Sequence, residues 1–215
     1  MSSVAPVENS RPSGPRSRKG AETRARLLEG AKQVFEEDGF LEARISDIAE
    51  RAGLSHGSFY HYFDSKEQIF REVAEEMDDR LSAPLGAVIL DPASRASPRE
   101  RIAMAIRQHL ESYRDEARIM GVIEQVSRFD EPVNAARTER HDEIREVVAR
   151  SIARLQRRGL ADPSLDPQLT SAAIGAMASR FAEMWLTQGL VDCDFDAGVD
   201  ELSRLVANAL GLRDP

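Results

Sequence analysis

The chain has 215 residues, of which 41% are hydrophobic and 31% charged, and its formal net charge is −8. This composition fits a globular protein of one or two domains with a proper core. It excludes a membrane-spanning segment, because no stretch approaches about 20 uninterrupted apolar residues. The N-terminus lacks the apolar core of a secretory signal, and the single Cys193 fits a reducing cytoplasm.

The first twenty residues are rich in serine, proline, glycine and arginine. Such a composition cannot bury enough apolar surface to fold, so we expect residues 1–20 to form a disordered basic tail. Two interpretations of the tail stay open at this point. It is either a solubilising segment or an arm that follows the backbone or minor groove of DNA.

Apolar residues at helical spacing predict a first helix that begins at Glu22 or Thr23 and ends at Gly39. Two shorter helices follow in the stretch ISDIAERAGLSHGSFYHYFDSK, residues 45–66. Gly53 can take the left-handed conformation that ends the first of them.

Ser55 is a good N-cap for the second short helix. Phe59 and Phe63 are four residues apart in that helix, so they share a face that should be buried. Two helices joined by a tight turn form the helix-turn-helix layout, whose second helix enters the major groove of DNA.

The run GLSHGSFYHYFDSK, residues 53–66, closely resembles the signature of the TetR family of transcriptional repressors. The resemblance extends from Thr23 to about Val73. It implies an all-α fold, with an N-terminal three-helix helix-turn-helix DNA-binding head at residues 21–72. A larger helical effector-binding and dimerisation domain would then occupy residues 73–215.

The expected DNA contacts lie on or beside the second short helix. Hydroxyl groups, a lysine ammonium and a helix N-terminus can hydrogen-bond phosphate oxygens, whereas histidines can reach base edges. Where the family often has a capping threonine, this chain has Arg44, which cannot cap but can contact phosphate as a charge. The predicted DNA-binding residues are Arg44, Ser46, Ser55, His56, Gly57, Ser58, Tyr60, His61, Tyr62 and Lys66.

Two alternatives accompany this set. Tyr60 or Tyr62 could instead belong to the core beneath the helix. A metal site at His56 and His61 is not expected, because residues five apart diverge on a helix and no cysteine or acid completes a ligand set. We likewise expect no cofactor.

The acidity of the chain lies mostly in its second part. Residues 1–72 hold 11 Lys and Arg against 12 Asp and Glu, whereas residues 73–215 hold 18 against 25. A nearly neutral head must bind DNA through a local patch, which favours sequence-specific binding with few phosphate contacts.

Beyond the head, Ser65 and Gln68 form a capping box for a helix that we expect to end near Pro84. Residues 84–97 should form a loop. Ser97 and Glu100, with a proline between them, mark the start of the next helix. Further helices are expected around residues 119–126, 131–158, 166–189 and 196–210.

The helix that begins at Asp166 has two unlike apolar faces, one small and one bulky. The family resemblance implies a four-helix dimer interface built from this helix and the last one, two from each subunit. Intrachain packing is the alternative for a stripe of small residues. The candidate interface residues are Ala172, Gly175, Ala176, Ser179, Val199, Leu202 and Val206.

The resemblance also implies an effector pocket in the second domain. Its candidate lining residues are Tyr113, Met120, Phe129, Met177, Arg180, Phe181, Met184 and Trp185. A stripe of methionine and aromatic residues is more often core than pocket. Arg180 could form a salt bridge at the surface, or face the cavity and pair with an anionic group. His109 lies on an apolar face and is expected to be a satisfied core histidine.

These observations predict a sequence-specific transcriptional regulator, a homodimeric repressor released from a palindromic operator by a small hydrophobic ligand. The alternative is a DNA-binding regulator or architectural protein without an inducer. An enzyme is not expected, because the sequence has no glycine-rich phosphate loop and no HExxH motif. The stretch GLSHG at residues 53–57 is superficially like the nucleophile elbow of a hydrolase, but no predicted strand precedes it.

Overall fold

A computed structural model describes residues 18–90 and 95–212. In these two ranges the chain forms nine α-helices, one π-helical turn and no β-strand. The first four helices are α1 (Arg18–Glu42), α2 (Ile45–Arg51), α3 (His56–Phe59) and α4 (Lys66–Leu90). The others are α5 (Pro98–Asp115), α6 (Ala117–Ser127), α7 (Glu131–Arg157), α8 (Pro167–Ala182) and α9 (Phe195–Ala209), with the π-helical turn Glu183–Thr187 directly after α8.

The first helix begins earlier than the sequence indicated. Residues 18–20, which we predicted to be disordered, form the first turn of α1, so that prediction was wrong for them. Arg18 Nε lies 3.2 Å from Glu22 Oε1, and the Thr23 hydroxyl donates to the Lys19 carbonyl at 2.9 Å. These local bonds stabilise the turn. The rest of the predicted tail lies outside the described residues.

Gly39 interrupts α1 where we predicted its end. Its φ of 72° and ψ of 174° kink the helix, which continues to Glu42. Only glycine takes such a conformation without steric strain. The kink turns Phe40 back towards the core, where its ring lies 4.8 Å from that of Phe70.

The core of the head joins α1 to the two short helices and to the start of α4. Phe35 and Phe70 pack edge to face with ring centroids 4.9 Å apart. Phe59 and Phe63 have exposed fractions of 0% and 1%, which confirms the buried face predicted from their spacing.

The helix α4 does not end near Pro84 but continues to Leu90. A proline removes one helical hydrogen bond and destabilises a helix interior by about 3 kcal/mol. The turns before it bury Ile69, Phe70, Val73, Met77 and Leu81. This packing explains why the helix passes through a residue that usually ends one.

Among the body helices, α5 to α9, side-chain caps fix the N-termini of α5, α7, α8 and α9, whereas α6 has none. Ser97 and Glu100 form the predicted capping box of α5, with bonds of 3.3 and 2.7 Å. The box predicted for α4 is displaced, because Gln68 Oε1 accepts from the backbone of Asp64 rather than from that of Ser65. None of the described helices is both long and apolar enough to span a bilayer.

One predicted surface proves to be core. Val199, Leu202 and Val206 of α9 are 1%, 2% and 4% exposed, and α9 packs against α5 of the same chain. They are therefore not available to a second subunit, and their assignment to a dimer interface was wrong. The reason is that the single strongly apolar face of α9 is needed to cover its own core.

Candidate nucleic-acid interface and effector region

The helix α3 is a single turn that two aromatic residues hold against the head. It ends at Phe59, and residues 60–62 continue as a turn into the buried Phe63. Ser55 occupies the N-cap position but makes no side-chain cap bond. Its hydroxyl oxygen instead lies 2.8 Å from that of Ser58, so the predicted side-chain cap does not form.

Four predicted DNA contacts share the outer face of this turn. His56, Gly57, Tyr60 and His61 are all exposed, and the rings of His56 and Tyr60 meet at 5.4 Å. A Cβ on Gly57 would have no neighbour within 4 Å. Because glycine has no side chain, nothing projects from this position into the solvent above the contact face. The arrangement presents two imidazoles and a phenol to solvent above an apolar base.

The other residues of the set lie less openly. Ser58 is half-buried, and Tyr62 is half-buried and packs against the core, as one of our alternatives proposed for it. Arg44 occupies the N-cap position of α2 without a side-chain cap bond and is exposed. Ser46 is also exposed, and its hydroxyl donates to Asp47 Oδ1 at 2.9 Å.

Lys66 has a different role from the one predicted. Its ammonium donates to the carbonyls of Phe40, Leu41 and Ala43 at 2.7, 3.0 and 3.0 Å. An ammonium has three N–H donors, and here all three are occupied. Lys66 therefore satisfies two of the last carbonyls of α1 and the carbonyl of Ala43 just after it, which contradicts its predicted contact with phosphate.

One cation near the helix-turn-helix was missed. Arg26 of α1 is exposed, and its Nη1 would lie 3.7 Å from a Cβ at Gly53, in the turn between α2 and α3. Its guanidinium is thus placed beside the predicted contact face. Nothing in the pattern of α1 distinguishes Arg26 from the other exposed cations of that helix, since only the fold brings it to the turn.

The predicted effector residues divide into an interior group and an outer pair. Tyr113, Met120 and Trp185 are 3%, 1% and 8% exposed. Met177, Phe181 and Met184 are half-buried. In the interior the Trp185 ring stacks on Phe195 with centroids 5.6 Å apart and meets Phe181 at 5.4 Å.

Tyr113 has a single polar contact in this interior. The Thr187 hydroxyl donates to its phenol oxygen at 3.5 Å, and burial raises the pKa of Tyr113 to about 12. The phenol is therefore neutral at physiological pH and can both donate and accept a hydrogen bond.

Phe129 and Arg180 do not belong to this interior. Phe129 is 58% exposed, and its nearest aromatic neighbour is Phe40 of the head, at 6.5 Å. Arg180 is exposed, and its Nη1 lies 2.6 Å from Glu183 Oε2, which is the salt bridge of our alternative reading. Their assignment to an interior pocket was wrong. Phe129 lies in the turn after α6, and helical spacing alone does not show that Arg180 lies on the exposed side of α8.

A polar cleft of about 630 Å³ lies between α6, α7 and α8. Arg137 is its most buried charged residue and donates to Glu124 at 2.7 Å and to Ser127 at 3.0 Å. The cleft is lined by Glu124, Ser127, Arg128, Asn134, Arg137, Thr138, His141, Ala176, Ser179, Arg180 and Glu183.

The small residues of α8 form an exposed stripe. It consists of Ala172, Gly175, Ala176 and Ser179. Leu169, at the start of the same helix, is 74% exposed, and Leu205 of α9 is 46% exposed. Small side chains allow another helix to approach closely, and exposed leucines favour burial by a partner.

Two segments of the chain match known families. Residues 27–73 match the family described as "Bacterial regulatory proteins, tetR family", and residues 95–189 match "Tetracyclin repressor-like, C-terminal domain". The first match spans the helix-turn-helix, and the second begins three residues before α5 and ends two residues after the π-helical turn.

Similar proteins agree with these matches. The chain is 26% identical over 178 residues to the uncharacterized HTH-type transcriptional regulator YdgC of Bacillus subtilis, covering 81% of this chain and 86% of YdgC. It is 26% identical over 203 residues to the HTH-type transcriptional regulator UidR of Escherichia coli, covering 89% of each chain. In fold it is similar to the regulator FadR of Bacillus subtilis in complex with stearoyl-CoA, with a TM-score of 0.72, 19% identity, and coverage of 86% of this chain and 98% of FadR.

Proposed function

This chain belongs to the TetR family of bacterial regulatory proteins and is a transcriptional regulator; we propose that it is a repressor that a small hydrophobic ligand releases from a palindromic operator. The observation that carries the DNA-binding part is the outer face of α3. It presents His56, Tyr60 and His61 to solvent while Phe59 and Phe63 fix the turn from below. We also propose that the protein has no enzymatic activity and acts in the cytoplasm.

The contact face supports a division of roles. We assign the Tyr60 hydroxyl and Arg44 to hydrogen bonds with phosphates, which position the protein without reading sequence. Ser46 is left out because its one hydroxyl donor already goes to Asp47. The imidazoles of His56 and His61 carry the donors and acceptors that can read base edges in the major groove. Lys66 is left out of this proposal because its donors are occupied.

Substitutions of the contact face test this proposal on a DNA duplex that the wild-type protein selects from a random-sequence library. We expect Tyr60→Phe to weaken binding across all duplexes, and His61→Ala also to reduce discrimination at one or two positions, by about 1–3 kcal/mol each. Thr138→Val is the control, because it removes an exposed hydroxyl group of α7, in the body. Unchanged binding by both Tyr60→Phe and His61→Ala would contradict the contact assignment.

The exposed α8 stripe supports a homodimer. One head of this size reads few base pairs, whereas two heads related by a twofold axis read two half-sites. We expect Ala176→Glu to give a monomer at micromolar concentration and to weaken operator binding. Ala135→Glu is the control, since Ala135 is an exposed residue of α7 outside the stripe. A dimer that persists in Ala176→Glu would contradict this interface.

The ligand part rests on the interior around Tyr113, Met120 and Trp185. Aromatic and methionine side chains with one neutral phenol suit a mainly apolar molecule with a single polar group. FadR of Bacillus subtilis, similar in fold, was crystallised with stearoyl-CoA. A thermal-shift series with fatty acids and acyl-CoA esters tests this part, and we expect the melting temperature to rise with acyl concentration. A series without any shift would favour the regulator without an inducer.

A further inference from the structure

A single carboxylate of the body contacts both long helices that carry the DNA-binding face. Glu116 lies between α5 and α6. Its Oε1 accepts from Arg80 Nη1 of α4 at 3.0 Å, and its Oε2 lies 2.5 Å from Lys32 Nζ of α1. Because α1 forms the core of the head and α4 leads out of it, this side chain ties the body to the head at two points.

The same junction makes a third contact with the head. Arg118 Nη2 donates to the backbone carbonyl of Glu36 at 3.0 Å. The Glu36 side chain lies 3.8 Å from Lys32 Nζ. Lys32 and Glu36 therefore lie on adjacent turns of α1, on the surface that contacts the α5–α6 junction. The α5–α6 junction therefore holds α1 by both a charged side chain and a main-chain oxygen.

The ion pair between Glu116 and Lys32 is more shielded from water than the ion pairs within the head, whereas Arg80 is 47% exposed. The side chains of Glu116 and Lys32 are 12% and 17% exposed, compared with 38% and 49% for Arg51 and Glu37. Burial lowers the pKa of Lys32, but its hydrogen bond to Glu116 and the nearby carboxylates outweigh this and raise the pKa overall. The ammonium therefore stays charged, and shielding makes the pair stronger than a surface pair.

The position of Glu116 relates it to the body interior. Tyr113 lies one turn before it in α5, and Met120 lies one turn after it in α6, and both side chains are buried. The Met120 backbone N–H donates to the Glu116 carbonyl at 3.0 Å. A shift of either helix end in the interior must therefore move the carboxylate that holds Lys32 and Arg80.

We propose that Glu116 is a positioning residue that fixes the orientation of the DNA head on the body in the form that binds the operator. This inference rests on the proposed DNA-binding function. Glu116 itself contacts no DNA and acts through Lys32 and Arg80.

The test combines operator affinity with a distance that does not depend on DNA. In full-length protein carrying Cys193→Ser, spin labels at Glu50→Cys in α2 and Glu139→Cys in α7 report the distance from head to body. Dilution with unlabelled protein keeps each measured pair within one subunit. The variants are Glu116→Gln, Lys32→Met and the double change, with Glu37→Gln as control because it breaks an ion pair inside the head.

We expect a narrow distance distribution for wild type and for Glu37→Gln, and a broadened one for Glu116→Gln and Lys32→Met. Operator affinity should fall by about fivefold or more in both single variants. The double variant should be no weaker than Glu116→Gln, because the two changes remove the same contact. If Glu116→Gln does not fold, Arg80→Gln and Glu116→Asp replace it with the same expectations.

The proposal requires that the single variants show both a broadened distance distribution and a weakened operator affinity. A loss of unfolding free energy with an unchanged distance distribution, or a broadened distribution with affinity equal to the control, would overturn it. So would additive losses in the double variant. The distance is measured without DNA. If the wild-type protein binds no operator, the proposed function is refuted, while the distance distributions still show whether Glu116 fixes the orientation of the head.

Discussion

Replacing Arg137 with methionine should be among the most destabilising changes in the body. Arg137 Nε lies 3.3 Å from Asp78 Oδ2 of α4, and Nη2 lies 2.7 Å from Glu124 Oε1 of α6. The side chains of Arg137 and Asp78 are only 9% and 6% exposed. Methionine keeps the apolar stem and removes the charge, so Asp78 is left buried without its cation.

The expected loss of unfolding free energy is about 3–5 kcal/mol, the usual effect of removing one partner of a buried ion pair. We expect the lower part of that range, because Glu124 is 29% exposed and can turn to water. The measurement is urea unfolding followed by circular dichroism, at one fixed protein concentration because a dimer is stabilised by mass action.

Two comparisons distinguish this reasoning from general damage to the core. The double change Asp78→Leu with Arg137→Met replaces both charges by apolar groups and should recover most of the loss. Burial raises the pKa of Asp78 more than Arg137 and His141 lower it, and without Arg137 it should rise further. A protonated Asp78 is neutral, so the deficit of Arg137→Met should be small below the unfolded pKa near 3.8 and grow as pH rises through the raised folded pKa. A loss under about 1 kcal/mol at neutral pH, or a double variant as unstable as the single one, would refute the account.

Two further expectations concern the interior. Gly198→Ala should lower the unfolding free energy by about 1–3 kcal/mol, because its Cβ would lie 2.6 Å from Cζ3 of Trp185. The midpoint of urea unfolding measures this loss, and Gly57→Ala is the control because the space around its Cβ is open. Equal stability of the two variants would contradict the expectation. Burial lowers the pKa of His109 despite its contact with the Leu81 carbonyl, so the stability that this histidine provides is present above the unfolded pKa near 6.5 and is lost as pH falls through the folded pKa. The stability advantage of wild type over His109→Gln should therefore shrink between pH 7.5 and 5.5, by about 1.4 kcal/mol for each unit of lowering, and a difference that does not change with pH would refute this.

Local signals of the sequence were sufficient to place the helices, but not the start of α1 or the end of α4, and they were sufficient for the apolar base of the contact face. The spacing of Phe59 and Phe63 and the Ser97–Glu100 box each depend on residues within one or two turns. Gly39 marked the break in α1 but not its continuation to Glu42. Such signals act through the backbone nearby, so they survive whatever the rest of the chain does.

The errors have a common physical origin in long-range contacts. The donors of Lys66 go to carbonyls that lie more than twenty residues earlier, and Val199 faces α5 rather than a partner. An apolar stripe indicates that one face of a helix is buried, and a lysine or arginine side chain needs hydrogen-bond acceptors. Neither shows which part of the molecule supplies them.

Arg80 holds α4 near its middle, so a small tilt of α4 about Arg80 displaces the head by a larger distance. From Lys66 to Arg80 the helix extends about 21 Å at 1.5 Å per residue. A tilt of about 10° around Arg80 therefore displaces the head by nearly 4 Å, slightly more than the 3.4 Å rise of one base pair. Very small rearrangements among the body helices are enough to misplace the DNA-contacting turn α3 by a whole base-pair step, so the inducer that we propose would not need to unfold or detach any part of the protein.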